Sequence, residues 1–379
     1  MTSLPELGKW GKSMRILVCA LAALSLAACA TQPAVPNARP LNASHIAALG
    51  PTALTVSENN TGVGKAWLAQ DSSAAGASQG MLGVLISAAF DAMMNAGPSR
   101  RAVQAADEIA EVVPVDALNS SLVEHFQRAA ATPGQGVSIS DVRLTQRRTA
   151  PLIINDNVEV ATSYLLSEDA TTLQVVFNLS YTNPDLPYVT PYTFEKSPPK
   201  SELSGPLYRN TFTYYSRQLP VPILTPELRE RLIASIQDSA RDENGALPVE
   251  GTDAFKGMTR ELEQARDDNL TKAEIAIFLT REWSKDNGAL LRAEVEQAHA
   301  FIARYVAIDM NRTAIPSLTG IDEVVETLAD GRTIRRVGAG VTTGAYVSSP
   351  SEVASFSTYG NSVAIARAHR ARAEAQAVR

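Results

Sequence analysis

The hydrophobic period changes partway along this chain, so no single kind of structural layer can account for all of it. Between Val158 and Thr182 the stretch VEVATSYLLSEDATTLQVVFNLSYT alternates apolar and polar residues on either side of Ser167-Glu168-Asp169. That is the pattern of two strands with one buried face. VSISDVRL, with Val137, Ile139 and Val142 near period two, adds a third strand. From Thr225 the apolar residues recur every three or four positions instead. Strands grouped before helices predict the α+β class: small antiparallel sheet units followed by a predominantly helical block.

The helical block carries its own punctuation. Thr225 is placed to cap a helix, Pro226 to take its first position and Glu227 to meet the positive end of its dipole. Leu228, Leu232, Ile233 and Ile236 form one face, and Gly245 to Gly251 breaks the run. A second helix covers Phe255 to Arg266. Thr271 and Glu274 make a capping box for a third, which Asn287-Gly288 interrupts. Leu290, Leu291, Val295, Ala298, Ile302, Tyr305 and Val306 then line a long helix to about Met310. Nearer the N-terminus, Asn119 or Ser120 could cap a helix through Leu122, Phe126 and Ala129, ended by Pro133 to Gly136. Asp330-Gly331 between alternating residues predicts a hairpin near the C-terminus.

The N-terminus is of another kind. Ile16 to Ala28 is uncharged and apolar, follows Lys9, Lys12 and Arg15, and is too short to span a bilayer. It ends in Leu26-Ala27-Ala28-Cys29. This ending resembles the lipobox of bacterial lipoproteins: Leu, two small residues, then Cys. The resemblance covers only the first thirty residues. It implies cleavage after Ala28 and acylation of Cys29. Ala30, where Asp would favour inner-membrane retention, implies the outer membrane, with the body facing the periplasm. Several acyl chains at one residue make attachment effectively permanent. Cys19, the other cysteine, would leave with the signal, so no internal disulfide is expected. Met14 just before Arg15 makes a compact signal by itself, so either Met1 or Met14 could be the start.

Residues 29–54, with four prolines and several alanines, read as a tether. Thr61-Gly62-Val63-Gly64-Lys65 glances at a phosphate loop but lacks Gly at Asn59 and Ser or Thr at Ala66. Gly76, Gly80, Val84, Ala88, Ala92 and Ala96 recur every four residues, a stripe that lets another backbone approach closely. The helix they predict is either a membrane-inserted or oligomer-forming element or a core helix. Asp91 and the short uncharged run favour the core, and Gly97-Pro98 is expected to end it. Residues 181–226 hold nine of the 21 prolines and six of the ten tyrosines. Such a segment is either a stiff exposed loop that grips a partner or an arm wrapped over its own domain. If it binds an envelope protein or a glycan, Tyr188, Tyr192, Tyr208, Tyr214 and Tyr215 are the candidate contacts. Arg367, Arg370, Arg372 and Arg379 make the final stretch basic.

The chain thus divides into a signal peptide (1–28), a lipid-anchored tether (29–54), an α+β domain with the apolar helix and the Pro/Tyr-rich loop (55–224), a helical block (225–312), a C-terminal hairpin region (313–360) and a basic tail (361–379). Its net charge is −6, and loss of Lys9, Lys12, Arg15 and Glu6 with residues 1–28 makes it two charges more negative. Without a clustered basic face, no nucleic-acid partner is expected. His125 and His299 each stand alone on helices, without a neighbour at metal-ligand spacing. No nucleophile elbow, zincin motif or dinucleotide fingerprint is present in a suitable context. No cofactor or metal is expected. The chain reads as a lipid-anchored envelope protein that binds or scaffolds. The alternatives are a subunit of an oligomeric pore or secretion assembly, and a hydrolase of cell wall or lipid.

Overall fold

The computed structural model describes residues 36–49, 52–59, 61–65, 96–131, 138–145, 157–167, 169–183, 185–186, 205–267, 270–313 and 320–350. Their elements run α1 (Ala43–Ala48), β1 (Thr52–Ser57), β2 (Val63–Lys65), α2 (Ala96–Val112), α3 (Val115–Ala130), β3 (Ile139–Thr145), β4 (Asn157–Leu166), β5 (Leu173–Tyr181), β6 (Tyr208–Tyr215), α4 (Pro226–Ala240), α5 (Asp253–Gln264), α6 (Lys272–Met310), β7 (Glu323–Thr327), β8 (Thr333–Arg336) and β9 (Tyr346–Ser349). The class is α+β, as the change of period predicts.

The sheet is larger than the small antiparallel units expected. Among the described residues nine strands form one mixed sheet in the order β3-β1-β4-β5-β6-β9-β8-β7, with β2 also pairing β4. β4, β5 and β6 are antiparallel neighbours, whereas β1 lies parallel to both β3 and β4, and β9 parallel to β6. The alternation in β4 buries Val158, Val160, Tyr164 and Leu166; in β5 it buries Val175, Phe177, Leu179 and Tyr181. The second half of α6 covers that face with Leu291, Val295, Ala298, Ile302, Tyr305 and Val306, so strands and helix share one core. Leu290 of the expected stripe stays largely exposed.

β1 and β2 take successive places along the same edge of β4, and Asn59 bridges the gap between them. Its Nδ2 donates to the Thr162 carbonyl at 2.9 Å, and its Oδ1 accepts from the Thr61 and Gly62 amides. The Asn119 carboxamide exchanges hydrogen bonds with the Asn59 backbone at 2.9 and 3.2 Å. Asn119 is therefore not a helix cap. Pro114 occupies the N-cap position of α3, and Asn119 is buried inside the helix because it satisfies another turn. Gly97-Pro98 lies within α2, and the helix it is expected to end lies outside the described residues.

The structure draws the domain boundaries differently. From Asn37 the proposed tether is part of the body: Arg39 bridges to Arg209 beside β6, Leu41 is fully buried, and His45 is buried on α1. The helical block divides. Leu228, Leu232, Ile236, Met258, Ala265 and Leu270 make a small core against which Ile275 and Phe278 of α6 also pack, while the rest of the α6 stripe belongs to the main one. The C-terminal hairpin, with its turn at Gly331, is not a separate region, because β9 joins it to β6. Hairpin position is local information, but which strand a hairpin edge meets is not. Among the described residues no helix is long and apolar enough to cross a membrane. Cys29, Ala28, Gly76, Gly80, Ala88, Ala92, Tyr188 and Tyr192 lie outside the described residues.

Helix α6 breaks at Asn287-Gly288 as its sequence predicts. Lys285 is extended, and Asp286, Asn287 and Gly288 are left-handed, with φ of 52°, 57° and 68°. A side chain at Gly288 would meet Val112 Cγ2 at 2.8 Å, so α2 packs directly on this backbone. Gly288→Ala is expected to cost about 1–2 kcal/mol from the left-handed conformation alone. Urea denaturation of the variant checks this, and an unchanged midpoint would mean the kink is not held as described.

Candidate functional site

The two histidines that look isolated in sequence meet in space. α3 presents Ser121 and His125 one turn apart, α6 presents Glu296 and His299, and the ring centroids of His125 and His299 lie 5.9 Å apart. Ser121 Oγ lies 2.5 Å from Glu296 Oε1 and 2.8 Å from His299 Nδ1. His125 Nε2 lies 2.7 Å from Glu296 Oε2, and the Tyr164 hydroxyl of β4 lies 2.8 Å from His299 Nε2. The chain of contacts runs from a buried phenol to a half-exposed carboxylate.

Hydrogen counting assigns the protons. Glu296 is ionised: partial burial works against the carboxylate, but hydrogen bonds from Ser121 and His125 outweigh it and hold the carboxyl below its usual range. The single Ser121 hydroxyl hydrogen must then go to Glu296, so Ser121 Oγ accepts from His299 Nδ1–H. Nε2 is left as an acceptor for Tyr164 O–H, and His125 Nε2–H donates to Glu296. Burial, aided by His125, pushes the His299 imidazole down to about 3, so the ring is neutral. Burial also pushes the Tyr164 phenol up. Every hydrogen in the relay is used. An activated serine would donate to the histidine; here Ser121 donates to the glutamate instead. Among the described residues no group of three or more His, Cys, Asp or Glu is arranged to hold a metal ion.

The candidate tyrosines of the Pro/Tyr-rich segment are not surface contacts where they are described. Tyr208, Tyr214 and Tyr215 are buried in β6, a strand paired on both sides. The Tyr208 hydroxyl and Asn210 Nδ2 donate to Asp309 Oδ2 at 2.8 and 2.7 Å, fastening the end of α6 to the sheet. Burial raises the Asp309 carboxyl, against the hydrogen bonds that favour its ionised form. The Tyr215 hydroxyl accepts from Gln174 Nε2 at 2.8 Å. Alternation puts a tyrosine's apolar ring in the core when the sheet covers it, and its hydroxyl then needs a buried partner. For these three residues the structure contains a core strand of the sheet, neither an exposed loop nor an arm laid over the domain.

Tyr214 does border a cleft. A cavity of about 210 Å³ lies between α6 and the β7–β8 hairpin, lined by Tyr214, Phe301, Tyr305, Gln297, Arg304 and Asp330 among others. Tyr214 O–H donates to Glu294 Oε2 at 2.6 Å. Its wall also includes Arg332, almost fully buried. The guanidinium of Arg332 lies 4.4 Å from the centroid of the Tyr214 ring, and its Nη1 donates to the Tyr215 carbonyl at 2.6 Å. Its Nε and Nη2 make no hydrogen bond, the nearest carboxylates being Asp330 at 4.0 Å and Glu294 at 3.9 Å. The sequence carries no signal for this cleft, because its residues come from β6, α6, the hairpin and β9. The same is true of the relay, whose members lie up to 178 positions apart.

The fold and these clusters define a class: an α+β protein whose helices and mixed sheet share one main core, holding a closed histidine relay and a partly aromatic cleft. Comparison of the chain with protein-family models, curated proteins and solved structures found no match.

Proposed function

We propose that the protein is a lipid-anchored envelope protein, fastened through Cys29 to the outer membrane with its body in the periplasm, and that it works by binding or scaffolding rather than by catalysis. The anchoring half rests on Leu26-Ala27-Ala28-Cys29 behind a basic, apolar leader. The observation that carries the binding half is the cleft beside Arg332. A desolvated guanidinium flanked by two carboxylates but with two nitrogens outside any hydrogen bond keeps unused donors. Aromatic walls and a polar rim are the usual surroundings of a small ligand or an anchoring side chain. An envelope protein or a glycan is the partner class this suits. The relay offers less to a hydrolase, since its serine hydrogen is already committed to Glu296.

Two measurements test the reading. Cells grown with labelled palmitate should yield labelled protein, and Cys29→Ser should carry no label and leave the membrane fraction. A photo-crosslinking residue in place of Ala300, at the rim of the cleft, should form a discrete adduct in cells that the same residue at Val249 does not. Absence of label removes the anchor. Equal or absent adducts at both positions remove the cleft as the binding site.

A further inference from the structure

Two of the most exposed large apolar side chains are linked to the point where the body begins, and a third, Val324, lies three residues from one of them on β7. Ile321 is 75% exposed, Val341 61% and Val324 60%. Val341 is held beside that point: the Asn37 amide donates to the Val341 carbonyl at 2.9 Å, and Arg209 Nε donates to the Asn37 carbonyl at 2.7 Å. The turn bearing Ile321 lies against the same loop. Gly320 N donates to the Gly338 carbonyl at 3.0 Å, and Gly338 N donates to Asp322 Oδ1 at 3.1 Å. A side chain at Gly338 would run into the Ile321 backbone, so the two turns touch main chain to main chain. The acids beside these apolar groups are neutralised. Asp322 faces Gly338 and Arg335, and Glu323 pairs with Arg312 at 2.7 Å.

We propose that the surface carrying Ile321, Val324 and Val341 rests on the lipid bilayer to which Cys29 is attached. The proposal depends on the lipid-anchor reading. Its physical basis is chain length. Eight peptide steps separate Cys29 from Asn37, and a fully extended chain of that length reaches at most about 29 Å. A flexible one reaches less, roughly 15–17 Å as a root-mean-square distance. A globular chain of about 300 residues has a radius of gyration of about 19 Å. So short a leash keeps the exit face nearest the membrane. Apolar side chains grouped on that face then have an apolar phase within reach, which explains why they are not covered by protein. Val249, 73% exposed in the α4–α5 connection, has no such link to Asn37 and serves as the contrast.

The test uses the lipidated full chain in vesicles of phosphatidylethanolamine and phosphatidylglycerol. Cys19 leaves with the signal and Cys29 is blocked by acylation, so one introduced cysteine takes an environment-sensitive dye alone. Dye at Val341→Cys and at Ile321→Cys should shift to the blue and be quenched at least about two-fold by nitroxide-bearing lipid, as for groups held ~5–10 Å into the interface. Dye at Val249→Cys should remain in water and unquenched. In the Ile321→Asp/Val341→Asp variant, dye at Val324→Cys should lose its quenching while the protein stays attached. Palmitate on Cys29 with equal quenching at 249, 321 and 341, or with none, overturns this inference and leaves the anchor standing. Absence of palmitate overturns the anchor and the docking surface together.

Discussion

Glu261→Ala is expected to destabilise the protein by about 3–5 kcal/mol, the cost of leaving one charge of a buried pair without its partner. Arg101 Nη2 donates to Glu261 Oε2 at 2.6 Å, with side chains only 2% and 9% exposed. Arg101 stands on α2, which packs along α6, whereas Glu261 stands on α5, in the small core of Leu228, Leu232, Ile236 and Met258. The pair therefore pins the second core to the first. That second core is smaller than the main one, so it is expected to open at lower free energy. Chemical denaturation should show the loss, and amide exchange should quicken in α4 and α5 more than in β4 and β5. The double variant Arg101→Met/Glu261→Met should recover most of the stability, because removing both charges removes the desolvation penalty as well. A cost below about 1 kcal/mol in the single variant, the range of exposed pairs, would show that water reaches the pair.

The second large effect is a dependence of stability on pH set by His299. In the folded chain burial depresses its imidazole to about 3. The unfolded chain takes up a proton near pH 6.5. Below that pH the unfolded state binds a proton that the folded state refuses, so stability falls on acidification and is fully present above it. The slope approaches about 1.4 kcal/mol per pH unit below pH 6, which amounts to roughly 2.3 kcal/mol between pH 6.5 and 4.5. Glu296 adds to the loss only at lower pH, because its carboxyl is depressed below its ordinary range. His299→Gln, neutral throughout, should flatten the curve in that upper window. Its absolute stability at pH 7 can be lower, because Tyr164 and Ser121 lose their geometry, so the readout is the slope. A variant with the same slope as the wild-type chain would mean that His299 already protonates freely when folded.

The features legible from residue order alone are local. Thr225 caps α4 through the Leu228 amide, Thr271 and Glu274 close a capping box, and Gly331 turns the hairpin. Alternation located β4 and β5, and three-to-four spacing located the buried stripe of α6. These signals act between residues at most a few positions apart, where backbone geometry alone decides which side chains meet. Asn119 shows the limit. As a residue type it favours a cap, yet it is spent inside α3 on a turn 60 positions away.

The tertiary structure decided everything that depends on long-range closure. It placed β9 beside β6, brought His299 to Ser121 and Tyr164, and joined Arg101 to Glu261. It also turned Tyr208, Tyr214 and Tyr215 from candidate grips into core. Residues separated by a hundred positions leave no common period in the sequence. Which of them meet is set by the order of strands and the packing of helices against them, because burying one shared apolar face selects among many locally equivalent arrangements.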